Sequence, residues 1–203
     1  SLGGVMLLPG SKGGAAAAWT AWVRVVQYVT NRGLTVVTAA GNSALSSNGP
    51  TATVPGDLPN VVNVSATGIR SAPEFPQEGA YDVLTEYSNR GASISIAAPG
   101  GDLGPPGTEF PFPAAYYLIM STYVEPTAEC AATASCEPLW AWAAGTSMAA
   151  PHVTGAAGLV ADHDPSLSAH GVRAALLGAA QPIGAAQSFG HGMLDVAAAV
   201  GAP

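Results

Sequence analysis

Charge is scarce in this chain. Only 9% of its 203 residues are Asp, Glu, Lys or Arg, and six Lys and Arg stand against 13 acids, for a net charge of −7. A nucleic-acid partner needs a basic patch, as does an anionic membrane surface, so the composition argues against both. Long apolar runs are missing too. No uninterrupted stretch reaches the ~20 residues that a membrane-spanning helix requires, and Ser1 opens no secretory-signal pattern. Cysteine is limited to Cys130 and Cys136. With no His beside them, two thiols make a poor zinc site. A short disulfide inside an exposed loop is the preferred reading over free thiols, and it implies an oxidising, secreted setting.

What is abundant is glycine, proline and small apolar residues. The 25 Gly and 17 Pro suggest disorder, but 48% apolar content points to a compact fold. The length suits one domain. Ser11 is a candidate cap for a helix to about Asn31, with Trp19, Trp22, Val26 and Val29 at helical spacing and Gly33 as its stop. Leu34–Ala40 and Val61–Ala66 are continuous small-apolar and β-branched runs, the mark of strands buried on both faces. Ser93–Ile96 alternates like a further strand, ending at Pro99-Gly100. A helix is expected from Thr146, another behind a Ser168 cap to about Ala180, and a short one behind Asp195. This alternation predicts an α/β fold, a parallel sheet with its site at the strand C-terminal ends. Two stretches break it, about 69–87 and 102–140, and read as surface insertions.

The most informative segment is Gly145-Thr146-Ser147-Met148-Ala149-Ala150-Pro151-His152-Val153-Thr154-Gly155. A serine hydroxyl is a poor nucleophile and must be exposed, aimed and supplied with donors for the oxyanion it creates. Gly145 permits close substrate approach. Ser147 falls at a helix start, where free N–H groups favour developing negative charge. The run is not a G-x-S-x-G elbow, because Ala149 stands at the second glycine. It resembles the nucleophile segment of subtilisin-like serine proteases. Ser1-Leu2-Gly3-Gly4 is similar to that family's substrate-pairing strand, and Val36–Asn42 resembles its oxyanion-hole segment. Val54-Pro55-Gly56 and Ala98-Pro99-Gly100 also match family signposts.

The resemblance implies a three-layer parallel sheet with helices on both faces, and a polypeptide substrate. Ser147 would attack the scissile carbonyl, while Asn42 and the Ser147 N–H would hold the oxyanion. Ser1, Leu2, Gly3, Ala39, Ala40 and Gly41 would wall the specificity pocket, with Thr53 at its base. No acid lies among them, so a medium or large apolar residue suits it better than Lys or Arg.

The family also needs an aspartate and a histidine ahead of the serine. Neither an Asp-Thr/Ser-Gly nor a His-Gly-Thr-His segment occurs here. His152 lies about 140° around the helix from Ser147 and ~7.5 Å along it, out of reach of the hydroxyl. His163, His170 and His191 read as solvated or locally bonded. The chain therefore reads as the C-terminal half of a catalytic domain, with a companion fragment carrying Asp and His. Alone, it is expected neither to fold stably nor to cleave peptides. No cofactor is expected on this chain. The family's stronger calcium site would lie upstream, and its weaker site, near Gly56–Val61, has Ser95 where an acid is needed. A non-catalytic binding module and a sedolisin-type acid peptidase are the rivals. Asn42 and Ser147 together speak against the first, and Asn42, where sedolisins have aspartate, against the second.

Overall fold

A computed structural model of the chain describes residues 5–7, 14–48, 52–69, 81–102, 117–125, 130 and 136–201. Its centre is the strand β4 (Val61–Gly68), buried along its whole length, with β2 (Val36–Ala39) and β6 (Ile96–Pro99) parallel to it on opposite edges. The remaining strands in chain order are β1 (Val5–Leu7), β3 (Ala52–Val54), β5 (Val83–Leu84), β7 (Ile119–Val124) and β8 (Pro138–Ala143). β1 and β3 form an antiparallel ribbon that sets Met6 opposite Thr53.

Strand alternation sends neighbouring side chains to opposite faces, and each face has its own helices. On one face Val36 and Val61 join Val54 and Leu58 against α1 (Gly14–Thr30). That helix presents Trp19, Val23 and Val26 at helical spacing. On the other face Val62, Val64 and Ala66 pack against α2 (Thr146–His163), whose buried positions are Thr146, Ala149, Val153, Ala156, Ala157 and Val160. Small residues there let the helix approach the sheet closely. Behind it, α3 (Ala169–Ala179) adds Val172, Leu176 and Leu177 to the same core. Burying one Val or Leu side chain contributes roughly 1.5–3 kcal/mol, so this cluster dominates the fold. This is the expected α/β architecture with helices on both faces.

The C-terminal segment, with the short helices α4 (Ala186–Phe189) and α5 (Val196–Ala199), runs along the free edge of β6. Both expected caps are present. Ser168 Oγ accepts from Gly171 N at 3.2 Å, and Asp195 Oδ1 from Ala198 N at 2.9 Å. The Ser11 cap lies outside the described residues.

Four expectations change. The Leu34–Ala40 run forms a strand only at Val36–Ala39, which is half-buried, and Leu34 is 57% exposed. Among the described residues β2 pairs with β4 alone, so its outer edge is uncovered. The strand expected at Ser93–Ile96 is displaced to Ile96–Pro99, because residues 91–93 are used in a turn closed by Ile94 N on the Gly91 carbonyl, 3.2 Å. The first supposed insertion, 69–87, is not a pure surface excursion. Val83 and Leu84 pair antiparallel with Gly68 and Thr67, and Thr85 is buried. Likewise Asp102, at the start of the second stretch, is buried with its N–H on the Tyr117 carbonyl at 2.8 Å. Beyond it the described part of 102–140 is the solvent-facing hairpin β7–β8, and Cys130 and Cys136 form a disulfide with Cα atoms 4.7 Å apart.

Candidate active site

The C-terminal ends of β2 and β6 and the start of α2 meet at one place. Gly100, just past β6, takes the Thr67 carbonyl with its N–H at 2.8 Å and gives its own carbonyl to Gly145 N, also at 2.8 Å. Tyr87 Oη donates to the carbonyls of Gly100 and Gly101 at 3.1 and 2.5 Å. Burial, the largest influence, pushes the Tyr87 phenol above its usual pKa, so it remains a donor there. The turn into α2 is thereby tied to the sheet.

From β2 the chain passes through Gly41 to Asn42. Asn42 Oδ1 accepts from Thr146 N at 2.9 Å and from Thr146 Oγ1 at 2.7 Å, and Thr146 Oγ1 accepts from Gly41 N at 3.0 Å. Because Thr146 N can only donate, the amide orientation is fixed: oxygen toward the turn, Nδ2 toward the cleft. Neither Asn42 Nδ2 nor Ser147 N has a hydrogen-bond partner among the described residues. Gly145 holds them apart. Its φ of 153° and ψ of 160° lie in a region open essentially to glycine alone. A Cβ placed on it would sit 3.0 Å from Asn42 Nδ2 and 3.7 Å from Ser147 N. The missing side chain is thus a small space faced by two free donors at a helix N-terminus, an arrangement able to stabilise an oxyanion.

A cleft of about 820 Å³ opens beside this space. Ser147 and Asn42 line it, as do Ala39, Gly41 and Thr53, and no charged side chain does so among the described residues. Ala40 is a correction to the expected pocket wall. It is 1% exposed and turned into the interior, since alternation along the strand sends it opposite to Ala39 and Gly41. Ser1, Leu2 and Gly3 lie outside the described residues. His152 is bonded along its own helix, Nδ1 to the Met148 carbonyl at 2.9 Å, and His163, His170 and His191 are exposed and away from the cleft. Ser95, where the resemblance would put an acid of a weaker calcium site, donates from Oγ to the Val61 carbonyl at 3.3 Å and accepts from Asn63 N at 3.1 Å.

Sequence reasoning missed Thr146, Tyr87 and Asn89 as parts of this site. Thr146 stands next to Ser147 and was open to notice. Nothing in the sequence around Tyr87 and Asn89 says which distant loop they hold.

The subtilase family model matches residues 1–192 of the chain. Subtilisin DY of Bacillus licheniformis is 29% identical over 186 residues, which cover 92% of this chain and 54% of that protein. An extracellular protease of Xanthomonas campestris is 31% identical over 156 residues, covering 77% of this chain and 21% of that one. This chain therefore spans about half or less of the length of these relatives. In fold, the crystal structure of a lanthipeptide protease superposes with a TM-score of 0.73 at 23% identity, covering 97% of this chain and 58% of that one. On these matches, and on a fold that brings Asn42, Gly145 and Ser147 together, the chain belongs to the subtilase family.

Proposed function

We propose that this chain is the serine-bearing part of a secreted serine endopeptidase. Ser147 attacks the scissile carbonyl, and Asn42 Nδ2 with Ser147 N–H takes up the resulting oxyanion. The observation that carries this reading is the pair of free donors facing the space that Gly145 leaves open, 3.0 and 3.7 Å from its missing Cβ. A scaffold used only for binding has no need of that arrangement.

The general base and its orienting acid belong to a companion segment upstream. In favour of this, no histidine lines the cleft among the described residues. Among the described residues no strand pairs with the outer edge of β2, which leaves it ready to accept a neighbouring strand. The substrate is a polypeptide, and a cleft lined by Thr53 and by no charged side chain among the described residues favours a medium or large apolar side chain at the cleaved bond. The reading carries no cofactor on this chain, because the Ser95 hydroxyl bonds the Val61 carbonyl and offers no carboxylate to calcium. Secretion is supported by the Cys130–Cys136 disulfide and by the extracellular protease among the relatives.

The test is complementation. Residues 1–203 are produced alone and together with the upstream fragment, then treated with an organophosphonate and assayed on a peptide. The pair is expected to be labelled at Ser147 only and to turn over, and the lone chain to do neither. Turnover that survives Ser147→Ala removes the nucleophile assignment. A folded, active lone chain shows that the base lies within it.

A further inference from the structure

Asn89 sits two residues beyond Tyr87 in a turn, more than forty residues from Asn42 in sequence. Yet its side chain is 6% exposed and is spent entirely on the loop that carries Asn42. Nδ2 donates to the Ala40 carbonyl at 2.8 Å, and Oδ1 accepts from Ser43 N at 3.1 Å and Leu45 N at 3.0 Å. A carbonyl at one end and two amide donors at the other allow a single orientation of the amide. The backbone adds to the clamp, with Asn89 N on the Gly41 carbonyl and Ala44 N on the Tyr87 carbonyl, both at 2.9 Å. Contact is so close that a Cβ on Gly41, at φ 105°, would meet Asn89 Nδ2 at 2.5 Å.

The bonded groups flank Asn42 on both sides. Without the side chain the loop keeps its backbone bonds, among them Ala40 N on the Val64 carbonyl at 3.0 Å, but loses the three bonds nearest Asn42, and the aim of Nδ2 then rests chiefly on Thr146. We propose that Asn89 is a positioning residue for oxyanion stabilisation, holding the 40–45 loop so that the Asn42 amide meets the developing charge. This rests on the serine peptidase reading above. Asn89 also lines the cleft, but its side-chain bonds all go to the 40–45 loop, so the role proposed for it is exerted through Asn42.

A double-mutant cycle in the complete protease tests it. Asn89→Leu keeps the four-atom side chain branched at Cγ, though bulkier, and deletes all three side-chain bonds. Asn89→Asp keeps the two accepting bonds but sets a carboxylate oxygen against the Ala40 carbonyl in place of its donor. Since misplacing a group by about 1 Å costs up to ~10²-fold, Asn89→Leu is expected to lower kcat about 10- to 100-fold with little change in KM. Asn89→Asp is expected to lower kcat as well, since the Ala40 carbonyl then faces an oxygen where it had a donor. In an Asn42→Ala background the same Asn89 substitutions should change kcat by less than about 3-fold, because the group they aim is gone. An equal loss in both backgrounds, or an unchanged kcat, overturns the proposal and leaves Asn89 a structural residue. Should Asn89→Leu not fold, the cycle run with Asn89→Asp decides the matter by the same criterion. A parent enzyme without any turnover overturns the peptidase reading itself, and this proposal with it.

Discussion

Gly145→Ala isolates the feature on which the proposed chemistry depends, because it adds one methyl group at the point where two donors converge. Two costs follow from the structure. The backbone cost arises because φ 153°, ψ 160° is essentially a glycine region, worth about 1–3 kcal/mol of stability for any other residue. The steric cost arises because the new Cβ would stand 3.0 Å from Asn42 Nδ2, closer than most such contacts, so the amide must retreat by a few tenths of an ångström. The methyl also fills the space between Asn42 Nδ2 and Ser147 N, so both donors are denied to the oxyanion. Losing one such donor costs about 10²–10³ in turnover in subtilisin, a member of this family. Gly145→Ala should therefore lower kcat by at least ~10²-fold, well beyond what its stability loss explains when assays run below the melting transition. Steady-state kinetics on a peptide, beside a thermal melt of the same preparation, separate the two effects. A variant that is destabilised but retains its kcat would show that the oxyanion does not lie between these donors.

Reduction of Cys130–Cys136 should loosen the β7–β8 hairpin and leave the core intact, since closing so short a loop contributes only about 2 kcal/mol in chain-entropy terms and the bond lies outside the sheet. Proteolysis of the reduced protein should nick the hairpin first, and global unfolding on reduction would contradict this. The Asp195 carboxyl is held below its ordinary value of 3.8, chiefly by the Ala198 N–H and next by Gln181. A lowered folded-state pKa means its contribution is present above the ordinary value and lost as pH falls through the folded one. The Ala198 amide resonance should accordingly titrate below pH 3.8, and a midpoint at the ordinary value would refute the cap.

Much of the fold was legible because its elements satisfy local rules that sequence displays. Val61–Ala66 announces a strand buried on both faces, and Ser168 and Asp195 announce helix starts, and each is found with its expected bonds. Failures occur where a segment's fate is set by partners far away. Val83–Leu84 is too short to show a period and is a strand only because Thr67 and Gly68 pair with it. Leu34 belongs to an apolar run but is exposed, because the strand forms only where β4 pairs with it.

The site follows the same division. Gly145 and Ser147 lie two residues apart, and the chemistry of a nucleophile at a helix start explains their types, whereas the type of Thr146 is explained only by its bonds to Asn42 and Gly41. Asn42 follows a strand, where a turn residue is expected anyway, and only the bonds of its Oδ1 to Thr146 distinguish it from one. Asn89 lay beyond sequence reasoning altogether, since a buried amide with three backbone partners cannot be told from an exposed turn asparagine until the 40–45 loop is seen against it. Gly145 and Ser147, proposed to stand at the reacting end, were thus readable from their own neighbourhood. The residues that aim them were not, because aiming is a relation between distant segments, and it arises only when the sheet brings β2, β6 and α2 to one end.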